Sequence, residues 1–376
     1  MRGIADRPGP VEVEIYIDGR YEATAHWDNN NDCNQDVAVE IPGLAYGTHA
    51  IAVKFTNDYY NPGQGQDRNF NLDGLLVRRS GTPPPPPPPP PVGKSKLAIH
   101  TSFLRGESML FIEQAQPTVV KILDNFGPAQ EVKGKSPNTR IVGRIWYDNR
   151  QRLGVGAPED RALDWWNDVR GTILAYPSVD YWEGYNEPAI HDAGLMDWYA
   201  RFEKRRVEIL ADYGRKACIG NFSTGMPPVE RAVWEAFYPA IDAGMRHGGV
   251  LGLHEYSAPD MDWLFDHNGG EGWLTGRYRK VYRQFLTPTG RDIPLVITEC
   301  GIDGGVRGEA GKGWKSYQSA DTYFDQLVWY DGVLQEDAYV LGATIFCLEI
   351  HNWDDFDIGG RVRELLTDYV RHTGSF

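Results

Sequence analysis

Two segments decide how the larger part of this chain is expected to fold: YWEGYNEP at residues 181–188 and LVITECG at residues 295–301. Each starts with apolar residues typical of a short buried strand and then reaches a glutamate. Similar apolar runs recur at fairly even spacing after residue 96. The eight runs are residues 97–103, 119–123, 141–147, 181–185, 217–222, 250–256, 295–300 and 341–348.

Most intervals between these runs have the pattern of an amphipathic helix. In residues 198–210, WYARFEKRRVEIL, the apolar positions recur at helical spacing. Eight strand and helix units within residues 96–376 predict a closed (β/α)8 barrel, the TIM-barrel fold. A doubly wound sheet is the alternative, but no glycine-rich phosphate loop follows the first strand.

Residues 1–80 have the pattern of an all-β domain. Residues 11–17, VEVEIYI, alternate apolar and polar side chains and lead into Asp18-Gly19, a hairpin-turn signal. Further strands are expected at residues 37–41, 49–55 and 71–78. The pattern predicts a small β-sandwich.

An unbroken run of nine prolines at residues 83–91 separates the two parts. Such a run adopts the polyproline II conformation and extends about 3.1 Å per residue as a semi-rigid rod. We favour a spacer over a ligand for a proline-binding domain, because a rod between two globular units has an obvious use. The predicted organisation is a β-sandwich at residues 1–80, a linker at residues 81–95 and a catalytic barrel at residues 96–376.

The composition argues against several classes of protein. Its 52 acidic and 38 basic residues give a formal net charge of −14, which disfavours a nucleic-acid partner because a polyanion would be repelled. No stretch of eighteen apolar residues occurs, so no membrane partner is expected. The 12 Trp and 20 Tyr residues favour carbohydrate binding, although large aromatic residues also fill cores.

Two further features of the sequence bear on its class. The four cysteines have no metal-type spacing, so neither a zinc site nor a disulfide scaffold is predicted. The segment MRGIADRPGP at residues 1–10 lacks the apolar core of a secretory signal.

A barrel of this kind carries its reactive groups at the C-terminal ends of its strands. Glu187 follows the fourth predicted strand and Glu299 lies in the seventh, so the two carboxylates are expected to face each other. Glycoside hydrolysis needs two carboxyl groups, one that protonates the leaving oxygen and one that attacks the anomeric carbon or activates water. Spacing alone leaves their roles open, and it is also compatible with exposed glutamates that have no catalytic role.

The run Asn186-Glu187-Pro188, with Glu299 three strands later, resembles the clan A glycoside hydrolases, which are retaining (β/α)8 enzymes. The resemblance spans residues 96–376. It implies that Glu187 is the general acid/base and that Glu299 is the nucleophile, with no cofactor for catalysis. It also implies that Asn186 binds the sugar 2-hydroxyl next to the cleaved bond.

Other strand ends supply candidate substrate-binding residues. His254 and Tyr256 end the sixth predicted strand, and the resemblance implies that the Tyr256 hydroxyl positions the carboxylate of the nucleophile. Trp146 in the third run and Trp353 after the eighth are candidate platforms for a sugar ring.

Three other glutamates compete for the catalytic roles. Glu183 shares the parity of Glu187, so it is expected to point into the barrel one layer lower, where Lys121 or Arg144 could neutralise it. Glu255 and Glu349 also lie at strand ends. We favour Glu187 and Glu299 because none of the three belongs to an Asn-Glu-Pro run.

The segment NDYYNPGQGQDRN at residues 57–69 is rich in oxygen-bearing side chains. Because Ca²⁺ takes about six to eight oxygen ligands, the segment is either a metal site or a solvated turn on spacing alone. The short sequences FTND, DRN and LD, within residues 55–73, resemble the calcium-dependent xylan-binding modules of carbohydrate-binding families 36 and 60. The similarity covers roughly residues 11–78. It implies a calcium ion that contacts sugar hydroxyls, with the candidate ligands Asp58, Asp67, Asn69 and Asp73.

Three functions are compatible with these features. The first is a secreted, monomeric, retaining endo-β-glycanase for a β-1,4-linked plant polysaccharide (xylan, glucan or mannan), which its module concentrates on the polymer. The second is a non-catalytic carbohydrate-binding protein, which the presence of both glutamates disfavours. The third is a glycosidase for small glycosides, β-1,3-glucan or a microbial exopolysaccharide.

Overall fold

The computed structural model describes residues 2–3, 11–27, 35–36, 39, 41, 49–56, 59–61, 66–68, 93–149 and 152–373. The chain forms two compact units, Met1–Pro85 and Pro86–Phe376. The division falls inside the proline run.

The described part of the first unit is built from antiparallel strands. Val11–Ile17 is the central strand of a three-stranded sheet, between Arg20–Trp27 and Ile51–Phe55. Asp18 and Gly19 form the tight turn of the predicted hairpin, with φ values of 52° and 82°. Two short pairs accompany the sheet, Arg2–Gly3 with Gln35–Asp36 and Tyr59–Asn61 with Gln66–Arg68.

Alternation along the central strand explains how this unit forms a core. Val11, Val13, Ile15 and Ile17 are buried on one face, where Ala25 packs against them. The predicted strand at residues 71–78 lies outside the described residues, as does most of the one at residues 37–41.

The second unit contains a closed barrel of eight parallel strands, which confirms the predicted fold class of a TIM barrel with a small β domain. The strands are β1 Leu97–Thr101, β2 Val119–Leu123, β3 Arg140–Arg144, β4 Tyr181–Glu183, β5 Ala217–Phe222, β6 Val250–Ser257, β7 Leu295–Ile302 and β8 Val340–Leu348. The helices that follow them are α1 Gly106–Ala115, α2 Ala129–Lys135, α3 Pro158–Ala175, α4 Ala193–Asp212, α5 Arg231–Arg246, α6 Arg277–Val281, α7 Ala320–Gln335 and α8 Arg361–His372.

The apolar runs become strands because helices cover the barrel on the outside and side chains fill its inside. Every residue of β5, β6 and β7 is buried, as expected for parallel strands that have no solvent-facing side. The helical pattern predicted at residues 198–210 lies within α4, which begins where the Asp192 side chain accepts a hydrogen bond from Leu195 N at 2.9 Å.

The first and last segments of the barrel meet at the end opposite its mouth. Ser95 N donates a hydrogen bond to Thr373 O at 3.1 Å, so the chain enters β1 beside the place where it leaves α8. Lys96 N donates to Asp331 Oδ1 of α7 at 2.6 Å. The described part of the chain contains no helix with the length and apolar character needed to cross a bilayer.

Candidate active site

The C-terminal ends of β4, β6 and β7 bring the predicted catalytic glutamates together at the mouth of the barrel. β7 has one residue more than β6 before Glu299, so His254 and Glu299 become register partners. His254 Nδ1 lies 2.8 Å from Glu187 Oε1 and 3.6 Å from Glu299 Oε2. One oxygen of each glutamate and one ring nitrogen of His254 all lie within 4.8 Å of one another.

Glu299 forms the floor of the site. Its side chain is 8% exposed, and Lys121 Nζ and Arg144 Nη1 donate to its Oε1 at 3.0 and 3.1 Å. The Tyr256 hydroxyl donates to its Oε2 at 2.7 Å. Both carboxylate oxygens are therefore held, and their orientation is fixed from two sides of the barrel.

The charges around Glu299 keep it ionised. Burial alone would raise its pKa, but neighbours that include His254, Lys121 and Arg144 outweigh burial and hold the pKa of Glu299 well below its usual range. His100 lies in β1, and burial together with Lys121 keeps its own pKa well below the usual value. His100 therefore remains a neutral ring near the floor.

Glu187 forms the rim of the site. Its side chain is 39% exposed. Its backbone φ of 47° lies in the left-handed region, which residues other than glycine rarely adopt. The residue follows the short strand β4, and its N–H donates to Asn221 O at 3.0 Å. Solvent and substrate can therefore reach this carboxylate.

A cleft of about 360 Å³ opens beside Glu187 on the β3 and β4 side of the mouth. The residues that line it are Arg144, Trp146, Tyr147, Asp148, Asn149, Leu153, Asn186, Glu187 and Ala189. Trp146 is 62% exposed, so its ring is available for stacking. Among the described residues Asn186 Oδ1 has no hydrogen-bond partner although the atom is buried, which suits a ligand hydroxyl.

Trp353 lies on the β8 side of the mouth and is 42% exposed. Its ring packs edge-on against Phe346 of β8, with centroids 5.0 Å apart. Phe346 also packs against Tyr256, at 6.3 Å between centroids, which links this tryptophan to the floor. The two candidate platforms therefore flank the glutamates on different sides.

Glu183 occupies the predicted layer below the site. Lys121 Nζ lies 3.0 Å from Glu183 Oε1 and the same distance from Glu299 Oε1. Of the two partners considered for Glu183, Lys121 is the one in contact, whereas Arg144 pairs with Glu299. Glu183 is buried beneath the mouth and does not reach it.

The carboxylates of Glu255 and Glu349 are bound at the N-termini of helices. Glu255 accepts hydrogen bonds from Gly276 N and Tyr278 N, at 2.8 and 2.9 Å, where α6 begins. Glu349 accepts from the first backbone N–H groups of α1, at 3.1 Å each. Burial raises the pKa of Glu255 to about 7, against the effect of those two N–H donors. Both glutamates hold the βα framework in place.

Several residues of the site were not predicted for the part they play. Lys121 is the one charged side chain in VVKIL, and His100 is the one ionisable side chain in LAIHT, so both could have been found as polar residues in apolar strands. The Asn149 side-chain amide donates to Asn186 O, and Asn221 O accepts from Glu187 N. No local sequence signal marks those two contacts.

The types of donor atom at the mouth could also bind a metal ion. Glu187, His254 and Glu299 offer oxygen and nitrogen atoms close to one another. Lys121 and Arg144, however, already place two positive charges about 3 Å from Glu299. These charges oppose a cation there, and we assign the three residues no metal.

The predicted calcium ligands are described only in part. Asp58, Asn69 and Asp73 lie outside the described residues. Asp67 belongs to the strand Gln66–Arg68, but its side chain lies outside the description.

Comparison with known families identifies the N-terminal part of the chain. Residues 2–87 match the sequence model of carbohydrate-binding module family 60, described as a calcium-dependent, xylan-binding module. The predicted resemblance is confirmed. This match covers the first unit and does not extend to the barrel. No curated protein matches the chain.

Solved structures with similar architecture come from several bacteria. An endo-β-1,3-glucanase of family 128 from Sorangium cellulosum shares 16% identity, with a TM-score of 0.41, over 74% of this chain and 99% of its own. An endo-β-1,4-mannanase from Thermotoga petrophila shares 12% identity, with a TM-score of 0.43, over 74% and 77%. A β-glucuronidase from Lactobacillus rhamnosus shares 13% identity, with a TM-score of 0.48, over 97% and 64%. Any activity of the barrel must be inferred from its own site.

Proposed function

We propose that the protein is a secreted, retaining endo-β-glycanase that hydrolyses a β-1,4-linked plant polysaccharide, with xylan as the first candidate and glucan or mannan as the others. The observation that carries this proposal is the pair Glu187 and Glu299. Their carboxylates lie close together in opposite environments, one exposed at the rim and one buried among cations.

The separation of the two carboxylates favours retention of configuration. Retaining enzymes have carboxyl groups about 5 to 5.5 Å apart, whereas inverting enzymes need about 6.5 to 9.5 Å to admit a water molecule. An oxygen of Glu187 and an oxygen of Glu299 lie within 4.8 Å of each other. This spacing leaves room for the anomeric carbon and the glycosidic oxygen, but not for an attacking water between the ring and Glu299.

The mechanism assigns one role to each glutamate. Glu299 attacks the anomeric carbon as Glu187 gives its proton to the leaving oxygen, and a covalent glycosyl-enzyme forms. Glu187 then removes a proton from water, which attacks the same carbon and releases Glu299. Tyr256 keeps the attacking carboxylate aligned, and Asn186 Oδ1 accepts a hydrogen bond from a sugar hydroxyl.

The flanks of the mouth support a polymeric substrate cut internally. Trp146 and Trp353 are exposed on the β3 and β8 sides of the glutamates, so sugar rings can stack on both sides of the cleaved bond. An enzyme for chain ends or for small glycosides does not need extended binding surface on both sides. We propose an extracellular enzyme, because a polysaccharide is too large to enter a cell, and we expect it to be monomeric.

The first experiment measures reducing-sugar release by the full chain from xylan, mannan, cellulose, mixed-linkage glucan and β-1,3-glucan. Activity on one β-1,4-linked polymer that disappears in Glu299→Ala is the expected result. Activity confined to β-1,3-glucan or to small glycosides would contradict the substrate class. Silence of the wild-type protein on every substrate would favour a non-catalytic carbohydrate-binding protein.

For the N-terminal unit we propose calcium-dependent binding of xylan, with residues 81–95 as the spacer. Asp58, Asp67, Asn69 and Asp73 all carry oxygen donors, which suit Ca²⁺. A bound ion would supply a contact for sugar hydroxyls. Chelation by EDTA should weaken retention of the full chain on insoluble xylan and leave hydrolysis of short soluble substrates unchanged. Unchanged retention would contradict the assignment of these ligands.

A further inference from the structure

One peptide group at the mouth is held at both of its polar atoms. Asn186 O accepts a hydrogen bond from Asn149 Nδ2 at 3.3 Å, and Glu187 N donates to Asn221 O at 3.0 Å. The C=O and the N–H belong to the single planar peptide unit that joins Asn186 to Glu187. Two contacts from opposite sides therefore fix the plane from which the Glu187 side chain starts.

The hydrogen bond from Glu187 N to Asn221 O joins two residues with an unusual backbone conformation. Glu187 has a φ of 47° and Asn221 a φ of 51°, although neither residue is glycine. Such conformations persist only where the surrounding structure determines them strongly, and they concentrate at functional sites. Here Glu187 and Asn221, which both have a left-handed backbone conformation, are joined by one hydrogen bond.

Asn221 is an inserted residue in β5. The pairing of β5 with β6 shifts between Gly220 and Phe222, so Asn221 bulges out of the ladder and turns its carbonyl towards Glu187. Cys218 anchors the buried side chain of Asn221 with two hydrogen bonds of 3.3 Å each. The Cys218 carbonyl accepts one from Asn221 Nδ2, and the Cys218 thiol donates the other to Asn221 Oδ1.

Gly252 of β6 provides the space for this anchored side chain. A β-carbon at residue 252 would lie 2.2 Å from Asn221 Oδ1 and 2.7 Å from Cys218 Sγ. Any larger residue there would displace the amide and, with it, the bulge. The conformation of Asn221 thus depends on a residue that does not itself touch Glu187.

We propose that Asn221, supported by Gly252 and assisted by Asn149, is a positioning residue that sets the direction of the Glu187 carboxylate for proton transfer to the leaving group. This inference rests on the proposed function, because it assigns a role within that reaction. Rotation of the Asn186–Glu187 peptide would move the carboxylate from its place 2.8 Å from His254 Nδ1. Glu299 is held by separate contacts and would stay in place.

The test compares two substitutions of the buried Asn221 in the full chain. Both substitutions remove the amide that Cys218 anchors. Asn221→Gly tolerates positive φ, whereas Asn221→Ala keeps a β-carbon at positive φ without that anchor, so its backbone can relieve the strain by turning the carbonyl away. For Asn221→Ala we expect kcat/KM on glycosides with poor leaving groups to fall about 10- to 100-fold, with a change of less than about 3-fold on activated aryl glycosides. Asn221→Gly should retain more activity than Asn221→Ala on the poor leaving groups.

Gly252→Ala provides a second route if Asn221→Ala does not fold. It should reproduce the selective loss on poor leaving groups. The matched control is Gly171→Ala on the exposed side of α3, where a β-carbon would meet no atom within 4 Å and activity should not change. Equal losses on both kinds of substrate, or no loss, would overturn the inference while leaving the proposed function intact. An inactive wild-type protein would overturn the proposed function and this inference with it.

Discussion

The floor and the rim of the mouth treat the same kind of side chain in opposite ways. Glu299 on the floor is buried, and two cations and a hydroxyl hold its oxygens. Glu187 on the rim is exposed, and the described structure gives it one side-chain contact within hydrogen-bonding distance, His254, on a left-handed backbone. In the proposed reaction, this difference lets the two glutamates divide the work: Glu299 keeps a fixed negative charge and Glu187 is an accessible proton carrier.

The positive and negative charges on the floor balance one another. Lys121 and Arg144 contribute two positive charges, while Glu183 and Glu299 contribute two negative ones. A buried ion pair that loses one member leaves an uncompensated charge, which costs far more than the pair contributes. Substitutions on the floor should therefore affect both folding and activity, whereas those on the rim should affect activity alone.

After the complete loss expected for Glu299→Ala, the largest effect is expected from Glu187→Gln. Loss of the rim acid should lower kcat/KM about 10²- to 10⁴-fold on glycosides with poor leaving groups, and much less on activated aryl glycosides that leave without a proton. The control is Glu235→Gln on the exposed side of α5. Steady-state kinetics with both kinds of substrate measures the difference, and equal losses would remove Glu187 from the role of acid.

A smaller effect is expected from Lys121→Met on the floor. Without this cation the pKa of Glu299 should rise, so the acidic limb of the pH profile of kcat/KM should move about 1 to 3 units to higher pH. The substitution should also lower the free energy of unfolding by about 3 to 5 kcal/mol, because Glu183 is left unpaired. The double variant Lys121→Met with Glu183→Gln should recover much of the stability but keep the displaced limb. An unmoved limb in both variants would contradict the part assigned to Lys121.

The same charges link pH to stability. Because the pKa of Glu299 is lower in the folded protein than its usual value of 4.5, its ionised form stabilises the fold above that pH. This contribution is lost as the pH falls through the folded-state pKa. Chemical denaturation of the wild-type protein and of Lys121→Met, followed below pH 5, should show a smaller acid loss in the variant.

The smallest effect is expected from Tyr256→Phe, which removes one hydrogen bond to Glu299. A bond to a charged group contributes about 1.5 to 3 kcal/mol, so kcat/KM should fall about 10- to 100-fold and the acidic limb should shift slightly upwards. Tyr330→Phe is the matched control, because its hydroxyl donates to Glu255 at 2.8 Å, away from the mouth. A limb displaced equally in both variants would indicate a general structural effect.

Apolar periodicity was sufficient to predict the barrel. Each of the eight predicted runs overlaps one strand of the barrel, because parallel strands covered on both sides need continuous apolar sequence. The run at residues 181–185 overestimates β4, which ends at Glu183. The chain leaves the ladder there, and this irregular segment leads to the left-handed conformation of Glu187.

The sequence was less informative about partners that meet only after folding. For Glu255 the sequence was still sufficient: the residue alternates along its strand with the inward-facing His254 and Tyr256, so its side chain must point outwards. The direction of Glu349 depends on a loop conformation, with φ of 55°, that no neighbouring residue dictates. Asn221 needed both the bulge in β5 and the missing β-carbon of Gly252, which belong to different strands.

The hydrogen bond between Ser95 and Thr373 gives the barrel a property of its own. Its two chain ends lie side by side, so the eight strand and helix units form a ring that the backbone enters and leaves at one point. A short peptide joining these ends would allow the ring to be opened elsewhere, for instance at the exposed turn around Gly290 after α6. Such a circular permutant would keep every contact of the mouth. The same barrel could therefore form from strand and helix units that are synthesised in a different order.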